Sequence, residues 1–396
     1  MPLRIFVVPP WALLTDHVAY GDGLVAFGFI RELAARGHDL HVATAAVDLK
    51  GPLPANVHLH ALGQDDEPRA LERVALMLRA RRLYRRLERE RAFDLVHQLN
   101  PVEVGVSLAL PRHAVPLVLG PYVPDWAPSA RVPGAVVNPA ALRAKRIVRA
   151  AQQRRATMVL LSTPAAASKI DPRAASRLLV RELSPGIDER AWRPAGDGDG
   201  TDPPAAAAGQ DVLFLANLNV RKGVHAVLDA FERVAPDLPQ ARLLIGGVGT
   251  ELDRVRRRIE TTPALARAEL LGRVERDRVL ATLQACDVYC LPSDGEPFGM
   301  TALEAMACAK PVVVTDAGGL RHLVPDEGGR KVPNGDTDAL AGALREVLTD
   351  SALRRAMGGH NRRAVEDRYA WSRVVDRLEG LYEEAIRRQR ATVPAA

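Results

Sequence analysis

The feature that most constrains this chain is an alternation of short apolar, β-branched runs with longer stretches of helical spacing, continued over most of its 396 residues. Such alternation is typical of parallel sheets covered by helices on both faces. The strand candidates of the first half are residues 3–8, 39–44, 57–61, 94–97, 115–119, 157–162 and 179–183, and the helix candidates are 23–36, 70–90 and 139–155. The pattern predicts a doubly wound α/β fold.

One segment interrupts this pattern. Residues 195–210 are Gly, Pro, Asp, Thr, Ala and Gln with no periodicity, which is linker composition. The alternation restarts with strand candidates at 211–216, 242–246, 269–271, 287–291 and 311–315. Single cores stop growing near roughly 250 to 300 residues, so two are expected. We predict one domain at 1–194, a linker at 195–210, a second domain at 211–370, and a C-terminal helix and tail at 371–396. Ligands are expected at the carboxyl ends of the strands, in a cleft between the domains.

Composition narrows the class of protein. The chain has 54 Lys and Arg against 48 Asp and Glu, a net charge of +6 that is too dilute to indicate nucleic acid. Its three cysteines form neither a disulfide framework nor a zinc pattern. The early apolar run at 5–14 is broken by Pro9 and Pro10 and is interpreted as a strand and loop rather than a signal peptide. No run reaches the roughly 18 residues that span a bilayer, and a cytoplasmic location is expected.

The most informative stretch is Pro292–Lys310, PSDGEPFGMTALEAMACAK, which follows the apolar run DVYCL. It predicts a strand, a glycine-rich loop and a helix that starts near Met300, with exposed N–H groups at the helix start. Glu296 lies in the loop and Glu304 about one turn inside the helix. Because a carboxylate beside a phosphate is unfavourable, we expect these acids to accept hydrogen bonds from sugar hydroxyls. A capped helix with two surface acids is the alternative.

At these residues the chain resembles the retaining GT-B glycosyltransferases, in particular glycosyltransferase family 4 (glycosyl transferases group 1). Two Glu residues separated by seven others stand in an E-x-F-G context, Glu296 to Glu304. Six further segments fit the family in order, namely RGHDL, FDLVH, SPGID, RKG, KPVVVTDAGGL and YAWSRVVDRLEGLY. The resemblance implies two Rossmann-like doubly wound domains facing across a cleft, with the C-terminal helix crossing back to the first.

The resemblance also implies residue roles. Glu304 would hold ribose hydroxyls and Glu296 would hold hydroxyls of the transferred sugar, while Arg221 and Lys222 would stabilise the charge that develops on the leaving diphosphate. The implied catalytic set is Glu296, Lys222, Arg221 and His97. The implied donor-binding set is Gly21, Gly23, Asn217, Arg221, Lys222, Gly247, Arg273, Val274, Glu296, Phe298, Gly299, Met300, Thr301 and Glu304.

Two of these roles carry an open alternative. The family commonly has an Arg where Asn217 stands, so either Arg221 supplies the missing cation or the donor is held differently. His97 ends a predicted strand, where it could contact donor or acceptor or could instead be a satisfied histidine of the sheet.

The first domain should hold the acceptor. Two loops at predicted strand ends combine aromatic and acidic residues, which suit stacking on sugar rings and binding of hydroxyls. The candidates are Trp11, Asp16, Tyr20, Tyr122, Asp125 and Trp126. The alternative is that the aromatics fill the floor of a hydrophobic cleft.

The predicted function is a retaining, metal-independent glycosyltransferase that moves a sugar from a nucleoside-diphosphate sugar to a hydroxyl of a small polar acceptor, such as a saccharide, aminocyclitol or secondary metabolite. No cofactor is expected. The D-x-D at Asp197 and Asp199 lies in linker composition and is not assigned to metal. The Arg-rich helices near 79–91 and 143–155 are interpreted as solvated faces, with contact to an anionic membrane the less favoured alternative. The alternative functions are an epimerase, a phosphorylase or a non-catalytic subunit that binds a sugar nucleotide.

Overall fold

The computed structural model describes residues 1–9, 13–17, 21–63, 70–99, 105–111, 115–125, 139–196 and 210–392. These residues divide into two compact units. The first unit takes the described residues of 1–124 and 139–186 together with 371–392, and the second takes Asp125 and the described residues of 187–370.

The first unit is built on a parallel sheet of seven strands in the order β5-β3-β1-β6-β7-β8-β9, with a separate short pair β2-β4. Its strands are β1 (Arg4–Val8), β2 (Leu13–Thr15), β3 (Asp39–Thr44), β4 (Ala46–Asp48), β5 (Val57–Ala61), β6 (Leu95–Gln98), β7 (Leu117–Tyr122), β8 (Met158–Leu161) and β9 (Leu179–Glu182). Its helices before the second unit are α1 (Gly21–Ala35), α2 (Ala70–Glu90), α3 (Val106–Ala109), α4 (Pro139–Gln153) and α5 (Pro172–Ala175).

The second unit has a parallel sheet of six strands in the order β12-β11-β10-β13-β14-β15. The strands are β10 (Asp211–Leu215), β11 (Arg242–Gly246), β12 (Ala268–Gly272), β13 (Val288–Leu291), β14 (Val312–Thr315) and β15 (Gly329–Val332). The helices are α6 (Val224–Val234), α7 (Leu252–Thr261), α8 (Arg276–Ala285), α9 (Met300–Ala307), α10 (Leu320–Leu323), α11 (Thr337–Thr349) and α12 (Ser351–Ala364), and α13 (Trp371–Thr392) follows them in the chain.

The prediction of two doubly wound parallel sheets is confirmed. The strand runs at 39–44, 57–61 and 242–246 coincide with β3, β5 and β11. The apolar residues of β11 are typical of a buried parallel strand, whereas β5 (VHLHA) is an edge strand with one buried residue. The predictions missed β15 and the β2-β4 pair. The sequence of β15, Gly-Arg-Lys-Val, has two charged side chains at its centre, and each strand of the β2-β4 pair has only three residues.

The C-terminal helix α13 packs on the first unit, as the crossover expectation requires. Its apolar residues recur at helical spacing (Trp371, Val374, Val375, Leu378, Leu381, Tyr382 and Ala385) and join the core formed by β1, α1 and β3. Trp371 lies edge-on to Phe29, with ring centroids 4.9 Å apart. Arg36 at the end of α1 pairs with Asp376 at 2.7 Å and with Glu379 at 3.1 Å.

Residues 187–196 belong to the second unit, whereas the predicted first domain extends to 194. The physical reason is a set of contacts to that unit: the Ile187 amide donates to the Tyr369 carbonyl at 2.8 Å, and the indole of Trp192 joins the core of the second sheet. Residues 197–209 of the predicted linker lie outside the described residues. Within the described chain no helix combines the length and apolar character needed to cross a membrane.

Candidate active site

The topological switch point of the second sheet lies between β10 and β13, the neighbouring strands from which the connections run in opposite directions. In open parallel sheets, ligands bind outside the carboxyl ends of the strands at this point. The loop after β10 contains Asn217, Arg221 and Lys222, and the loop after β13 contains Ser293 and Glu296. The fold therefore brings together the residues that the sequence analysis assigned to the leaving group and to the transferred sugar.

A partly buried ion pair connects these two loops. Lys222 Nζ donates to Glu296 Oε2 at 2.6 Å, with 21% of the Lys222 side chain and 10% of the Glu296 side chain exposed. The Ser293 hydroxyl lies 3.2 Å from the same carboxylate oxygen and 3.0 Å from the Arg221 carbonyl oxygen. Lys222 thus donates to the Glu296 carboxylate from the neighbouring strand end, while the single proton of the Ser293 hydroxyl is available to either the Arg221 carbonyl or this carboxylate.

Local geometry explains why these loops approach so closely. The Asn219 side chain accepts from the Lys222 amide at 3.1 Å and caps the turn Val220–Lys222. Gly223 then takes a positive φ of 80°, and a Cβ at this position would stand 2.0 Å from the Pro292 carbonyl oxygen. Only glycine fits both requirements. The Asp294 amide completes the contact by donating to the Arg221 carbonyl at 2.8 Å.

The start of α9 forms the next part of the site. Gly299 has a φ of 99° and precedes the helix, so the first amides of α9 point toward the loop as they do in anion-binding helix starts. Phe298 is buried and lies edge-on to Tyr369 with ring centroids 6.4 Å apart, while Met300 and Thr301 are half-buried.

A second glycine turn supports this loop from behind. The Gly319 amide donates to the Glu296 carbonyl at 2.7 Å, and a Cβ on Gly319 would stand 2.2 Å from the Pro297 carbonyl oxygen. The loop after β13 is therefore fixed by the loop after β14, and its backbone cannot move without breaking this contact.

Glu304 occupies a separate position inside α9. Its side chain is 6% exposed, and Arg276 Nη1 donates to Glu304 Oε1 at 2.6 Å. Burial raises the pKa of the Glu304 carboxyl, and the neighbouring Arg276 guanidinium opposes that rise. The two predicted donor carboxylates thus have different environments: Glu296 is paired to a lysine and a hydroxyl, and Glu304 to an arginine.

The remaining predicted donor residues of the second unit line the carboxyl ends of β10, β11 and β12. Gly247 has a φ of 132°, and a Cβ there would stand 1.9 Å from the Ala216 carbonyl oxygen, so this turn requires glycine. Asn217 accepts from the Asn219 side chain at 3.3 Å. Arg273 is exposed and Val274 half-buried.

Three of the six predicted acceptor residues, Trp11, Tyr20 and Trp126, lie outside the described residues. The helix α1 begins at Gly21, so Gly21 and Gly23 lie in its first turn rather than in a loop before it. Asp125 is exposed.

Asp16 holds local structure in the first unit. Its carboxylate accepts from the Lys50 amide at 3.0 Å and lies 2.8 Å from His17 Nδ1. Burial acts to raise the pKa of Asp16, but hydrogen bonds from His17, Lys50 and Gly51 outweigh it and leave the pKa lowered. These contacts connect the end of β2 to the turn after β4.

Two predicted site residues, His97 and Tyr122, lie in the core of the first unit. Nδ1 of His97 is 2.6 Å from the Tyr382 hydroxyl and Nε2 is 2.9 Å from the Gly120 carbonyl oxygen, so both ring nitrogens are engaged. Burial lowers the pKa of His97 to about 4, and burial raises the pKa of Tyr122 to about 12. We therefore correct both assignments: His97 anchors α13 rather than serving catalysis, and Tyr122 fills the core rather than contacting an acceptor.

One side-chain cluster of the first unit has the composition of a metal site, but its charge opposes one. Asp39, His41 and His58 place potential ligand atoms within 4.8 Å of one another. However, Arg4 Nη2 lies 3.2 Å from His41 Nε2, and Arg91 lies 3.6 Å from the Asp39 carboxylate. Two guanidinium groups beside a single carboxylate disfavour a divalent cation, so no metal is assigned to this cluster.

Sequence reasoning missed three residues that shape the site: Ser293, Arg276 and Trp192. Ser293 stands inside the PSDGEPFG segment, and its position directly after an apolar run was an available signal. No sequence signal distinguished Arg276 from the other arginines near it, because its partners Glu304 and Trp192 are distant in the chain.

The comparisons with known proteins agree with this geometry. Residues 204–364 match the family model of glycosyl transferases group 1, and residues 21–188 match the model of glycosyltransferase family 4. The chain belongs to this glycosyltransferase family. The structure of sucrose-phosphate synthase from Thermosynechococcus elongatus superposes with a TM-score of 0.74 at 22% identity, over 96% of this chain and 98% of that one. HepE from Anabaena in complex with UDP-glucose superposes with a TM-score of 0.69 at 19% identity, over 96% and 100%. These similarities identify the fold as GT-B.

Curated relatives match shorter stretches. The phosphatidyl-myo-inositol mannosyltransferase of Mycobacterium leprae is 36% identical over 178 residues, 44% of this chain and 46% of that protein. The glycogen synthase of Mycobacterium tuberculosis is 30% identical over 210 residues, 53% of this chain and 49% of that protein. The chain thus spans about half the length of the curated relatives it matches.

Proposed function

We propose that this protein transfers a sugar from a nucleoside-diphosphate sugar to an acceptor hydroxyl, with retention of anomeric configuration and without a metal ion. The observation that carries the proposal is the Lys222–Glu296 pair at 2.6 Å, which joins the loops on both sides of the switch point in the second sheet. A fixed cation and a fixed carboxylate at adjacent strand ends suit a ligand with a phosphate at one end and hydroxyls at the other.

The cations supply the main catalytic effect in this proposal. When the glycosidic bond breaks, negative charge grows on the leaving diphosphate. Lys222, Arg221 and the first amides of α9 stabilise that charge where it develops, and they need little rearrangement because the loops are already joined. The Lys222 ammonium carries three N–H groups, and 21% of its side chain is exposed, so a phosphate oxygen can approach it while the ion pair to Glu296 persists.

The two carboxylates orient the donor. An ionised carboxylate only accepts hydrogen bonds, so Glu296 and Glu304 bind hydroxyls rather than phosphate oxygens. Glu296 lies next to the cations and suits the transferred sugar. Glu304 lies inside α9 and suits the ribose. The family resemblance implies that the departing phosphate oxygen takes the proton of the acceptor, so no protein base is needed in this proposal.

The relatives suggest which donors to test first. The name of the Corynebacterium glutamicum relative, which is 30% identical over 216 residues, specifies GDP-mannose as its donor, and the Anabaena structure contains UDP-glucose. We propose a thermal-shift screen of GDP-mannose and UDP-glucose with the corresponding ADP and TDP sugars. A specific donor raises the unfolding midpoint by an amount that grows with the logarithm of its concentration above Kd, whereas a flat response to every sugar nucleotide contradicts the proposed function.

Two substitutions test the assignment of residues. Lys222→Ala and Glu296→Gln should each lower kcat by roughly 10²- to 10³-fold, the usual cost of removing one preorganised electrostatic contact. Lys331→Ala is a matched control, because Lys331 also has a side chain that is 21% exposed and forms a 2.6 Å pair, here with Asp326. Circular dichroism checks that each variant is folded. Full activity in either folded site variant overturns the assignment.

Other functions of the same fold make different predictions. An epimerase turns over a sugar nucleotide with no acceptor present, and a phosphorylase consumes a sugar phosphate. A binding subunit takes up nucleotide tightly and transfers to no acceptor. Product analysis with and without acceptor separates these outcomes from transfer.

The acceptor is the less constrained substrate. A small polar acceptor was predicted from the aromatic loops of the first unit, and it stays a prediction. A second candidate, an acceptor carried by a lipid in an anionic membrane, is favoured by one helix: α4 contains Arg143, Lys145, Arg146 and Arg149 with no acidic residue. Its aliphatic side chains Leu142 and Ile147 are 47% and 58% exposed. Basic and exposed aliphatic residues on one helix are typical of helices that lie on membrane surfaces.

Helix α2 also has exposed aliphatic and basic residues, together with Glu72, Glu88 and Glu90. Val74 and Leu78 are 55% and 49% exposed, and Arg82, Arg85 and Arg89 continue the same helical face. Sedimentation with vesicles of phosphatidylglycerol, compared with vesicles of phosphatidylcholine, tests the second candidate. Selective binding that is lost in the double variant Leu142→Glu and Ile147→Glu supports a membrane acceptor. Equal or no sedimentation leaves the soluble acceptor as the candidate to pursue.

A further inference from the structure

Arg276 links the buried Glu304 to an aromatic side chain outside the predicted motifs. It is the first residue of α8 and follows the last residue of β12, Gly272, by four positions. Its guanidinium carbon lies 4.6 Å from the ring centroid of Trp192, and its Nη1 donates to Glu304 Oε1 at 2.6 Å. The Arg276 side chain is 43% exposed, whereas the Glu304 side chain is 6% exposed and Trp192 is 8% exposed. The arginine therefore reaches from solvent to a buried carboxylate across the face of an indole.

The Trp192 ring is held in place relative to α8. The Trp192 carbonyl accepts from Arg362 Nη1 at 2.8 Å, and its amide donates to the Asp188 carbonyl at 2.9 Å. The next carbonyl, that of Arg193, accepts from Gln284 Nε2 near the end of α8 at 2.8 Å. These bonds fix the main chain at Trp192, and the indole itself is buried in the core of the second unit, so the cation–π contact restricts the rotamers of Arg276.

This restriction matters because a buried carboxyl has two chemically different forms. Burial favours the protonated form, which donates one hydrogen bond and accepts fewer. The ionised form accepts only, and its two oxygens can receive both hydroxyls of a vicinal diol. Arg276 is the charged group that opposes protonation of Glu304. It bonds Oε1, and the carboxylate retains lone pairs for further donors.

We propose that Arg276, seated on Trp192, is a positioning residue that holds Glu304 as an acceptor-only carboxylate for the ribose diol of the donor, and thereby sets the preference for ribonucleotides over deoxyribonucleotides. The inference rests on the proposed function, in which Glu304 binds the ribose. It assigns control of the preference for ribonucleotides to Arg276 and Trp192, two residues outside the predicted motifs.

The Lys222–Glu296 pair differs from the Arg276–Glu304 pair in the proposed role of its cation. Lys222 is needed by the phosphate as well as by Glu296, so its loss affects kcat. Arg276 acts on binding through Glu304, so its loss should affect KM and leave kcat nearly unchanged. This division separates a positioning role from a general structural defect.

The test measures affinities for GDP and UDP and for their 2′-deoxy and 3′-deoxy analogues by titration calorimetry. The parent protein should bind the ribonucleotide roughly tenfold or more tightly than either analogue, the usual effect of one hydrogen bond to a charged group. Arg276→Gln should weaken ribonucleotide binding and bring this ratio close to one. Trp192→Leu should reduce the ratio partly, and Arg276→Lys should recover part of it.

The control is Arg258→Gln, which removes an arginine of the same unit that pairs with Glu232 at 2.7 Å outside this site. It should leave the ratio unchanged. In the double variant Arg276→Gln with Glu304→Gln, the second substitution should add little, because the two residues act as one unit. Melting curves show whether each variant is folded, and Trp192→Leu and Arg276→Lys keep the test decisive if Arg276→Gln does not fold.

Two failures are distinguishable. If the parent protein binds nucleotides and transfers sugar, and folded Arg276 variants keep the full ribose preference, the inference is wrong and the proposed function stands. If the parent protein binds no nucleotide at all, the proposed function fails and the inference fails with it.

Discussion

The two units share one architecture and use it differently. Each has a parallel sheet whose strand order reverses beside its first strand, at β1 and β6 in the first unit and at β10 and β13 in the second. In the second unit, the strand ends at the reversal carry an ion pair, Lys222 with Glu296, whose side chains are 21% and 10% exposed. In the first unit, His97 on β6 has both ring nitrogens engaged within the core.

This difference shows that a polar residue at a strand end is not sufficient for a site. A functional side chain must be held by neighbours and must keep donors or acceptors for a ligand. The His97 ring holds α13 on the first unit through its contact with Tyr382, so this sheet position serves stability in the first unit, whereas we propose that the corresponding position of the second unit binds the donor.

The largest expected effect on stability concerns the packing of α13 against α1. Gly28 in α1 lies against Trp371, and a Cβ at this position would stand 2.1 Å from the ring carbon Cζ2. Gly28→Ala should destabilise the first unit by about 2–3 kcal/mol, the typical cost of overpacking. Hydrogen–deuterium exchange should show faster exchange in β1, α1 and α13, with the second unit unchanged.

Gly380→Ala is the control for this prediction, because nothing lies within 4 Å of a Cβ at Gly380 in the same α13 helix. It should stabilise the helix by about 0.5–1 kcal/mol. Equal protection in the two variants would mean that the Trp371 contact does not hold the helix.

The next effect separates the units by pH. Burial lowers the pKa of His41 and of His97 to about 4, from an ordinary value near 6.5. The unfolded state therefore takes up protons first as the pH falls, and the first unit loses stability between pH 6.5 and about pH 4, on the order of 2–3 kcal/mol for the fully buried His97. In the second unit, burial raises the pKa of Glu304, so that group favours the folded state as the pH falls.

Exchange protection measured at pH 7 and at pH 4.5, each corrected for intrinsic rates, checks this prediction. Protection in β1, β3 and β6 should fall more than protection in β10 and β13. A parallel loss in both sheets would contradict the assignment of acid sensitivity to the buried histidines.

The smallest effect tests the role of His97 directly. Tyr382→Phe removes the hydroxyl that lies 2.6 Å from His97 Nδ1 and should destabilise the first unit by about 1 kcal/mol. The value of kcat should stay within about twofold, because neither group contacts substrate in our assignment. A large loss of kcat with unchanged stability would return His97 to the catalytic residues.

Much of the fold could be predicted from the sequence because parallel strands buried on both faces are continuous apolar runs. The strands β3, β5 and β11 were predicted to the residue, although β5 is an edge strand with histidine at two of its five positions, and the pattern at 371–385 predicted a helix with one apolar face. β15 was not predicted because half of its residues are charged. The β2-β4 pair was not predicted because a strand of three residues is too short to show a periodic pattern.

The donor residues could be predicted in part. The loop around Glu296 and the cations after β10 stand in local motifs, and the fold brought them together. The acceptor residues could not be predicted as well: Tyr122 and Asp16 have the chemistry of a binding residue, but only their contacts reveal that one fills the core and the other holds a turn.

By itself the sequence determined the two sheets and the local motifs, because strand burial, glycine turns and helix starts depend on neighbouring residues. Only the tertiary structure decided which charged groups meet. The pairs Lys222–Glu296 and Arg276–Glu304 join residues 74 and 28 positions apart, and the bond from His97 to Tyr382 spans 285 positions. Such partners are selected by strand order and helix packing, and no local pattern records them.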